Sequence, residues 1–193
     1  MDEVEIIQKL QQGNEQAFKN MVDKYQKMVV NTCFGFVHNI EDAEDIAQEV
    51  FIEVFRSVHK FRADSKLSTW LYRISVNRSL NFIRDNKRKK WFQSFEDLVQ
   101  KKIALHENLL NRKSDQPEYQ LENSQRSILL HETIDSLPEN QKVAFTLSKY
   151  EDLSYQEISK VMDLSISSVE SLLHRAKKNL QKKLYKCYKK KCI

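Results

Sequence analysis

The chain has 193 residues, of which 31% are charged, and 32 Lys and Arg against 27 Asp and Glu leave a net charge of +5. That length suits one domain or two small ones, and apolar residues recur at three- and four-residue spacing without sustained alternation, which excludes a mainly stranded protein. No apolar run approaches the roughly 20 residues needed to span a bilayer, and the acidic Met1–Asp2–Glu3 is unlike the positive start of a signal peptide, so the expectation is an all-helical, cytoplasmic protein without membrane insertion.

In chain order, a short helix ends near Gly13, and Asn14 can cap a longer one that runs towards His38. A third helix, "EDAEDIAQEVFIEVFRSVHK", follows Asn39. After the loop "FRADSK" comes a basic helix, "STWLYRISVNRSLNFIRDNKRKK", Ser68 to Lys90. These elements make an N-terminal helical domain, residues 1–91. Over residues 92–123 the periodicity weakens, charged and amide residues dominate and Pro117 interrupts "SDQPEY", the composition of a flexible linker. Periodicity returns over residues 124–188, where Pro138 in "DSLPENQ" separates the end of one helix from the start of the next. Residues 189–193 form a basic tail. It either extends the last helix or frays into solvent.

The third helix is strongly acidic in a basic protein: Glu41, Asp42, Glu44, Asp45, Glu49 and Glu53 precede its first cation, Arg56. Ala43, Ala47, Val50, Phe51, Val54 and Val58 supply a core face, which leaves Asp45, Gln48, Glu49 and Ile52 together on another. Carboxylates at a helix start complement the macrodipole. That accounts for Glu41 to Asp45 but not for an outward Ile52 in line with Asp45 and Gln48, and the alternative is a docking face for a basic protein partner.

On the basic helix, Lys66, Arg73, Asn77 and Arg84 are spaced seven, four and seven and fall on one narrow face, with Trp70 at its border. Leu67, Leu71 and Ile74 lie beside it, and Val76, Leu80 and Ile83 make a second apolar strip for neighbouring helices. Single-stranded nucleic acid asks for such a combination, because cations neutralise phosphate, an amide reads base edges and a π-face receives an unstacked base. The competing reading is a solvated basic face with Trp70 in the core.

The segment "DLSYQEISKVMDLSISSVESLLHRAKKNL" contains two short amphipathic helices joined by a tight turn, a helix-turn-helix. Ser154 with Glu157, and Ser167 with Glu170, each fit a capping box at a helix start. Asp163 stands in the turn where Gly is more usual, and Asp tolerates positive φ better than most residues. Ile158, Val161 and Met162 face the core from the first helix, and Val169, Leu172, Leu173, Ala176 and Leu180 from the second. On the outer face of the second stand Ser168, Ser171, Arg175 and Lys178. Short hydroxyls near the N-terminus let a helix approach the major groove while cations further along hold phosphate. An ordinary helical hairpin with a polar exterior is the alternative.

Four segments, "QAFKNMVDKY", "DAEDIAQEVFIEVFRSVHKFRADSKLSTWLYRISVNRSLNFIR", "DSLPENQKVAFTLSKYEDLSYQEIS" and "SISSVESLLHRAKKNL", in this order and spacing, resemble bacterial RNA polymerase sigma factors of the extracytoplasmic-function group. The resemblance covers nearly the whole chain apart from the linker and tail. It implies an N-terminal domain that binds the clamp helices of the largest subunit of core RNA polymerase and opens the minus-ten element, and a C-terminal domain that reads the minus-thirty-five element as duplex. The basic helix would then lie on the melted non-template strand. Asn77 matches the position that contacts the flipped-out minus-ten base, and Phe61 to Lys66 match the surrounding loop. With Trp70, Arg73 and Arg84 from the face read above, the minus-ten set is Phe61, Asp64, Ser65, Lys66, Trp70, Arg73, Asn77 and Arg84. The minus-thirty-five set is Ser167, Ser168, Ser171, His174, Arg175 and Lys178. Asp45, Gln48 and Glu49 match the core-docking motif, and Ile52 joins them from the face argument. The chain departs from many relatives at Glu170, where they carry a base; an acid there either accepts from cytosine N4 or completes a capping box. An anti-sigma factor is a further candidate partner, and the linker would pass through the RNA exit channel.

No enzyme is expected. His38, His59, His106, His131 and His174 are dispersed without a nucleophile partner, and there is no glycine-rich phosphate loop. Cys33, Cys187 and Cys192 lack metal-ligand spacing, so neither metal nor cofactor is expected and the thiols should be free; a redox or metal switch at Cys187 and Cys192 is the minor alternative. Two competing functions remain: a helix-turn-helix regulator that does not dock on polymerase, and an RNA-binding adaptor. Either leaves the acidic helix without a purpose.

Overall fold

The computed structural model describes residues 3–61, 64–101 and 128–189, and all regular structure among them is helical. Helix α1 spans Glu3–Gln11, α2 Glu15–Val37 and α3 Ile40–Ser57; a 3-10 turn, Val58–Lys60, follows, and α4 is Leu67–Lys101. Local chemistry sets these boundaries. Gly13 takes φ 73°, and the Asn14 side chain accepts from the Ala17 N–H at 2.8 Å to start α2. His38 ends α2 in the left-handed region, and the Asn39 side chain accepts from Asp42 N–H at 2.9 Å to start α3. Each cap satisfies an N–H that the first turn leaves without a helical partner.

The faces of α2, α3 and α4 meet in one core that contains Met21, Val29, Cys33, Ile46, Val50, Val54, Leu67 and Leu71. Of the face expected on α3, Ala43, Ala47, Val50, Val54 and Val58 are buried and Phe51 is half-buried; Ile46 is an additional member. Burial pushes the Cys33 thiol up to about 11, so it is an inert core residue. Helix α4 does not stop near Trp91 but continues to Lys101. Its sequence there, "WFQSFEDLVQK", contains neither Gly nor Pro, so nothing local breaks the helix. Most of the expected linker lies outside the described residues, as does the tail beyond Lys189.

The C-terminal half comprises a helix whose described part is residues 128–135 (α5), followed by α6, Glu139–Lys149, α7, Tyr155–Met162, and α8, Ile166–Lys189. Pro138 is the N-cap residue of α6, so the break expected there is present. The Ser154–Glu157 capping box forms with both of its bonds, and Asp163 closes α7 at φ 54°, ψ 47°. The second box does not form as expected. Ser165 takes the capping role, its Oγ 3.2 Å from the Ser168 N–H, because Asp163 has already turned the chain and α8 begins at Ile166. Ser167 and Glu170 therefore sit inside the helix. In the core of this half Ile158, Val161, Val169, Leu173, Ala176 and Leu180 are buried, while Met162 and Leu172 are half-buried.

The two halves share a second apolar cluster. Phe36 from α2 and Tyr72, Val76 and Leu80 from α4 join Val143, Ala144, Leu147 and Ile158 of the C-terminal half. The second strip of α4 thus finds its partner across the chain. Polar links cross with it: Lys142 Nζ, paired within its own half with Asp135 Oδ1 at 2.5 Å, donates to the Phe36 carbonyl at 3.2 Å, and the Tyr72 hydroxyl donates to Glu151 Oε2 at 3.1 Å. Asp135 is pushed up by burial, but its contacts with His38 and Lys142 outweigh that and hold it at about 2. The His38 and His131 rings stack across the junction with centroids 4.0 Å apart.

Burial raises Glu151 to about 7 from an ordinary value of 4.5. A carboxyl raised in the folded state stabilises it fully below the unfolded pKa and loses that contribution as pH rises through the folded one. Glu151→Gln keeps the shape and cannot ionise. Its melting temperature should match wild type near pH 4.5 and exceed it at pH 8; equal melting at both pH values would show that Glu151 is not buried as an acid.

Candidate nucleic-acid and partner interfaces

Helix α4 brings Lys66, Trp70, Arg73, Asn77 and Arg84 onto one side, as the seven-and-four spacing requires, with Lys66, Asn77 and Arg84 exposed and Trp70 and Arg73 half-buried. Trp70 stacks on Phe61 with centroids 4.8 Å apart and planes at 28°. Phe61 is buried, and its carbonyl accepts from Gln11 Nε2 at 2.8 Å, which ties the start of the "FRADSK" loop to α1. Asp64 is exposed and Ser65 half-buried; Arg62 and Ala63 lie outside the described residues. Trp70 is therefore both a neighbour of the first core and a border residue of the basic strip, as its angular position predicts.

Parts of this strip also meet the C-terminal half. The Arg73 guanidinium donates twice to the Lys160 carbonyl, through Nε at 3.2 Å and Nη2 at 2.5 Å. Arg84 Nε lies 3.8 Å from Glu139 Oε2. Between them Asn77 lines a cavity of about 370 Å³ whose far wall includes Glu139, Asn140, Met162 and Asp163. At the other end, the hydrogen bonds from Ser154 hold Glu157 below the usual carboxylate range, and the charge of Lys66 adds to that.

Helix α8 is different. Ser167, Ser168, Ser171, His174, Arg175 and Lys178 are all exposed. The hydroxyls of Ser167 and Ser168 lie 3.0 and 2.8 Å from Ser165 Oγ, so the first turn carries a compact hydroxyl surface with imidazole and cations beyond it. Glu170 is exposed beside them and is free of the capping role.

On α3, Asp45, Gln48, Glu49 and Ile52 are exposed together, and Ile52 keeps 50% of its surface in solvent. Phe55, one turn further, is 59% exposed with its ring edge-on to Phe18 at 5.3 Å. Sequence reasoning missed Phe55, although its spacing of three from Ile52 and seven from Gln48 places it on the same face. Arg78 of α4 reaches this helix, 2.7 Å from Glu53 and 3.7 Å from Glu49, and fixes the inner side of the acidic surface. Among the described residues no group of three His, Cys, Asp or Glu could hold a metal ion, and no helix is long and apolar enough to cross a membrane.

Comparison with known proteins gives these faces a family. The sigma-70 region 2 model matches residues 21–89, and the sigma-70 region 4 model matches residues 127–180. The ECF RNA polymerase sigma-E factor of Haemophilus influenzae is 33% identical over 181 residues, covering 93% of each chain. The RNA polymerase sigma-H factor of Pseudomonas aeruginosa is also 33% identical over 181 residues, covering 93% of this chain and 92% of its own. Among solved structures, CnrH in complex with the cytosolic domain of CnrY has the same fold, with a TM-score of 0.65 at 19% identity over 94% of this chain and 96% of that one. The matches to regions 2 and 4, and relatives that span nearly the whole length at 33% identity, place this chain in the extracytoplasmic-function group of RNA polymerase sigma factors, the proteins that direct RNA polymerase to promoters.

Proposed function

We propose a division of labour among the three faces. Asp45, Gln48, Glu49, Ile52 and Phe55 of α3 dock on the clamp helices of the largest polymerase subunit. The α4 strip, with Asn77 as base reader and Lys66, Arg73 and Arg84 as phosphate contacts, takes the melted non-template strand of the minus-ten element. Phe61, Asp64 and Ser65 border the pocket for the extruded base, and Trp70 stands where the strand is wedged apart. Helix α8 enters the major groove of the minus-thirty-five element with Ser167, Ser168 and Ser171 close to the bases and His174, Arg175 and Lys178 further along. This is work of binding and positioning rather than of catalysis, and it is carried out in the cytoplasm, where core polymerase and DNA are.

The observation that carries the reading is the α3 face. Exposed carboxylates beside an exposed Ile52 and Phe55 would repel DNA and suit a protein with basic and apolar surface. A regulator acting on DNA alone has no use for it. The loss of the second capping box also favours Glu170 as a base contact, since an acid among cations on a DNA-facing helix is tolerated best where it accepts from cytosine N4. An anti-sigma factor remains the candidate for a further partner.

Sequencing the 5′ ends of transcripts made on genomic DNA by core polymerase with and without this protein tests the assignment. The expected result is a set of new start sites that share a two-part upstream sequence. Start sites unchanged by the protein would overturn it.

A further inference from the structure

We propose that the last turns of α8, Gln181 to Lys189, form a further DNA contact: a basic ridge that grips phosphates of the duplex flanking the minus-thirty-five element without reading its sequence. The inference rests on the reading of α8 as the recognition helix. It concerns residues past the region 4 match, which ends at residue 180, while α8 itself continues to Lys189. The helix is too long for the groove it would enter. Its 24 residues at a rise of 1.5 Å make about 36 Å, whereas the major groove is about 12 Å wide and is read by the N-terminal residues of such a helix. A straight helix of that length leaves a groove that winds around the duplex, so its last turns pass over the flanking backbone. What they carry there is positive charge. Lys182, Tyr185, Lys186 and Lys189 follow Lys178 at three- and four-residue spacing, which continues the face of Ser168, Ser171, Arg175 and Lys178, and all four are exposed. No carboxylate stands between Glu170 and Lys189.

The extension is held rather than frayed. Asn179 Nδ2 donates to Gln141 Oε1 at 2.8 Å, and Lys183 Nζ donates to the Ser136 carbonyl at 3.2 Å and to the Ser136 hydroxyl, which ties α8 to α6 and to the turn before it. Leu184, four residues after the buried Leu180, is half-buried. The Lys189 ammonium lies over the Tyr185 ring, 5.0 Å from its centroid, so both stay on one side of the helix. Lys183, which falls off the face of the recognition residues, is the lysine of this stretch that bonds to protein oxygen. Cations in a last turn also complement the helix dipole. That accounts for Lys186 and Lys189 on any face, but neither for Lys182, further from the end, nor for the sorting of all three onto the face that continues from Ser168 and Arg175.

The test compares the full-length protein with a triple variant, Lys182→Gln, Lys186→Gln and Lys189→Gln, because Gln keeps helix propensity and removes the charge. Anisotropy is measured at low salt on three fluorescent duplexes. One carries only the minus-thirty-five sequence found from the transcripts, and the others extend it by about 10 base pairs, one helical turn, on one side or on the other. The wild type should bind one of the two extended duplexes roughly tenfold more tightly than the short one, with a salt slope steeper by about 2 to 3 for the phosphates held. The Gln variant should bind all three alike. A second variant with Arg at the same three positions should keep the advantage, since the ridge needs charge and no particular base, and it carries the comparison should the Gln variant lose helical circular dichroism. Equal binding of all three duplexes by the wild type, an advantage that survives the Gln variant, or its loss in the Arg variant overturns the ridge and leaves an acidic protein surface as the occupant. Transcription by core polymerase with this protein, from promoters altered in the minus-thirty-five element, keeps the two questions apart. Dependence on that element without a flanking advantage removes the ridge alone, whereas indifference to it removes the reading of α8 as well.

Discussion

Asp45→Lys combined with Gln48→Ala should abolish co-purification with core RNA polymerase, while the far-ultraviolet circular dichroism stays helical. Both side chains are exposed on α3, so their replacement leaves the core untouched. On the proposed docking, the charge reversal would set a cation against a basic surface of the polymerase. Removing one partner of a desolvated charge pair at an interface costs about 2–5 kcal/mol, and juxtaposing like charges adds to it. Ile52→Ala should weaken binding less, since it loses apolar contact without creating repulsion. Co-purification that survives the double substitution would discard α3 as the docking element.

The second large effect separates two residues of α4. Asn77→Ala in the holoenzyme should change which minus-ten base is preferred, at a cost of about 1–3 kcal/mol on the cognate sequence, because a specific base contact is lost. Arg84→Ala should weaken all sequences nearly equally and flatten the dependence on salt, since a phosphate contact carries no base information. Both are measured with polymerase present, because Arg84 Nε also lies 3.8 Å from Glu139 Oε2 of the C-terminal half. Competition between promoters that differ at single minus-ten positions, repeated at several salt concentrations, distinguishes the two. The same base profile and the same salt slope for both variants would end the single-strand reading of this helix.

Helix starts were legible because capping is local. Asn14, Asn39 and Ser154 each announce a helix by a side chain that reaches no further than three residues, and Pro138 does so by its fixed φ. The start of α8 was misplaced for an equally local reason. "SISS" offers three hydroxyls, and the choice of Ser165 depends on the turn at Asp163, which spacing alone does not reveal. The angular reading of α4 gave both its basic strip and its second apolar strip correctly, but not what lies on them. Tyr72 meets Glu151, and Arg73 meets Lys160, across separations of 79 and 87 residues, and no periodicity encodes a partner that distant. Phe55 escaped because an aromatic in an amphipathic helix is usually core, although its spacing from Gln48 and Ile52 already set it on the outer face, where it is exposed.

Permanganate reactivity of promoter thymines in the presence of core polymerase tests the central claim most directly, because it reports strand separation at the place where α4 is assigned to act. With the wild-type protein, non-template thymines of the minus-ten element should become reactive, and with core polymerase alone they should not. Trp70→Ala, checked by thermal melting to be folded at the temperature used, should reduce that reactivity while leaving polymerase binding intact. Thymines that remain protected with the wild-type protein bound to polymerase on its own promoter would contradict the account.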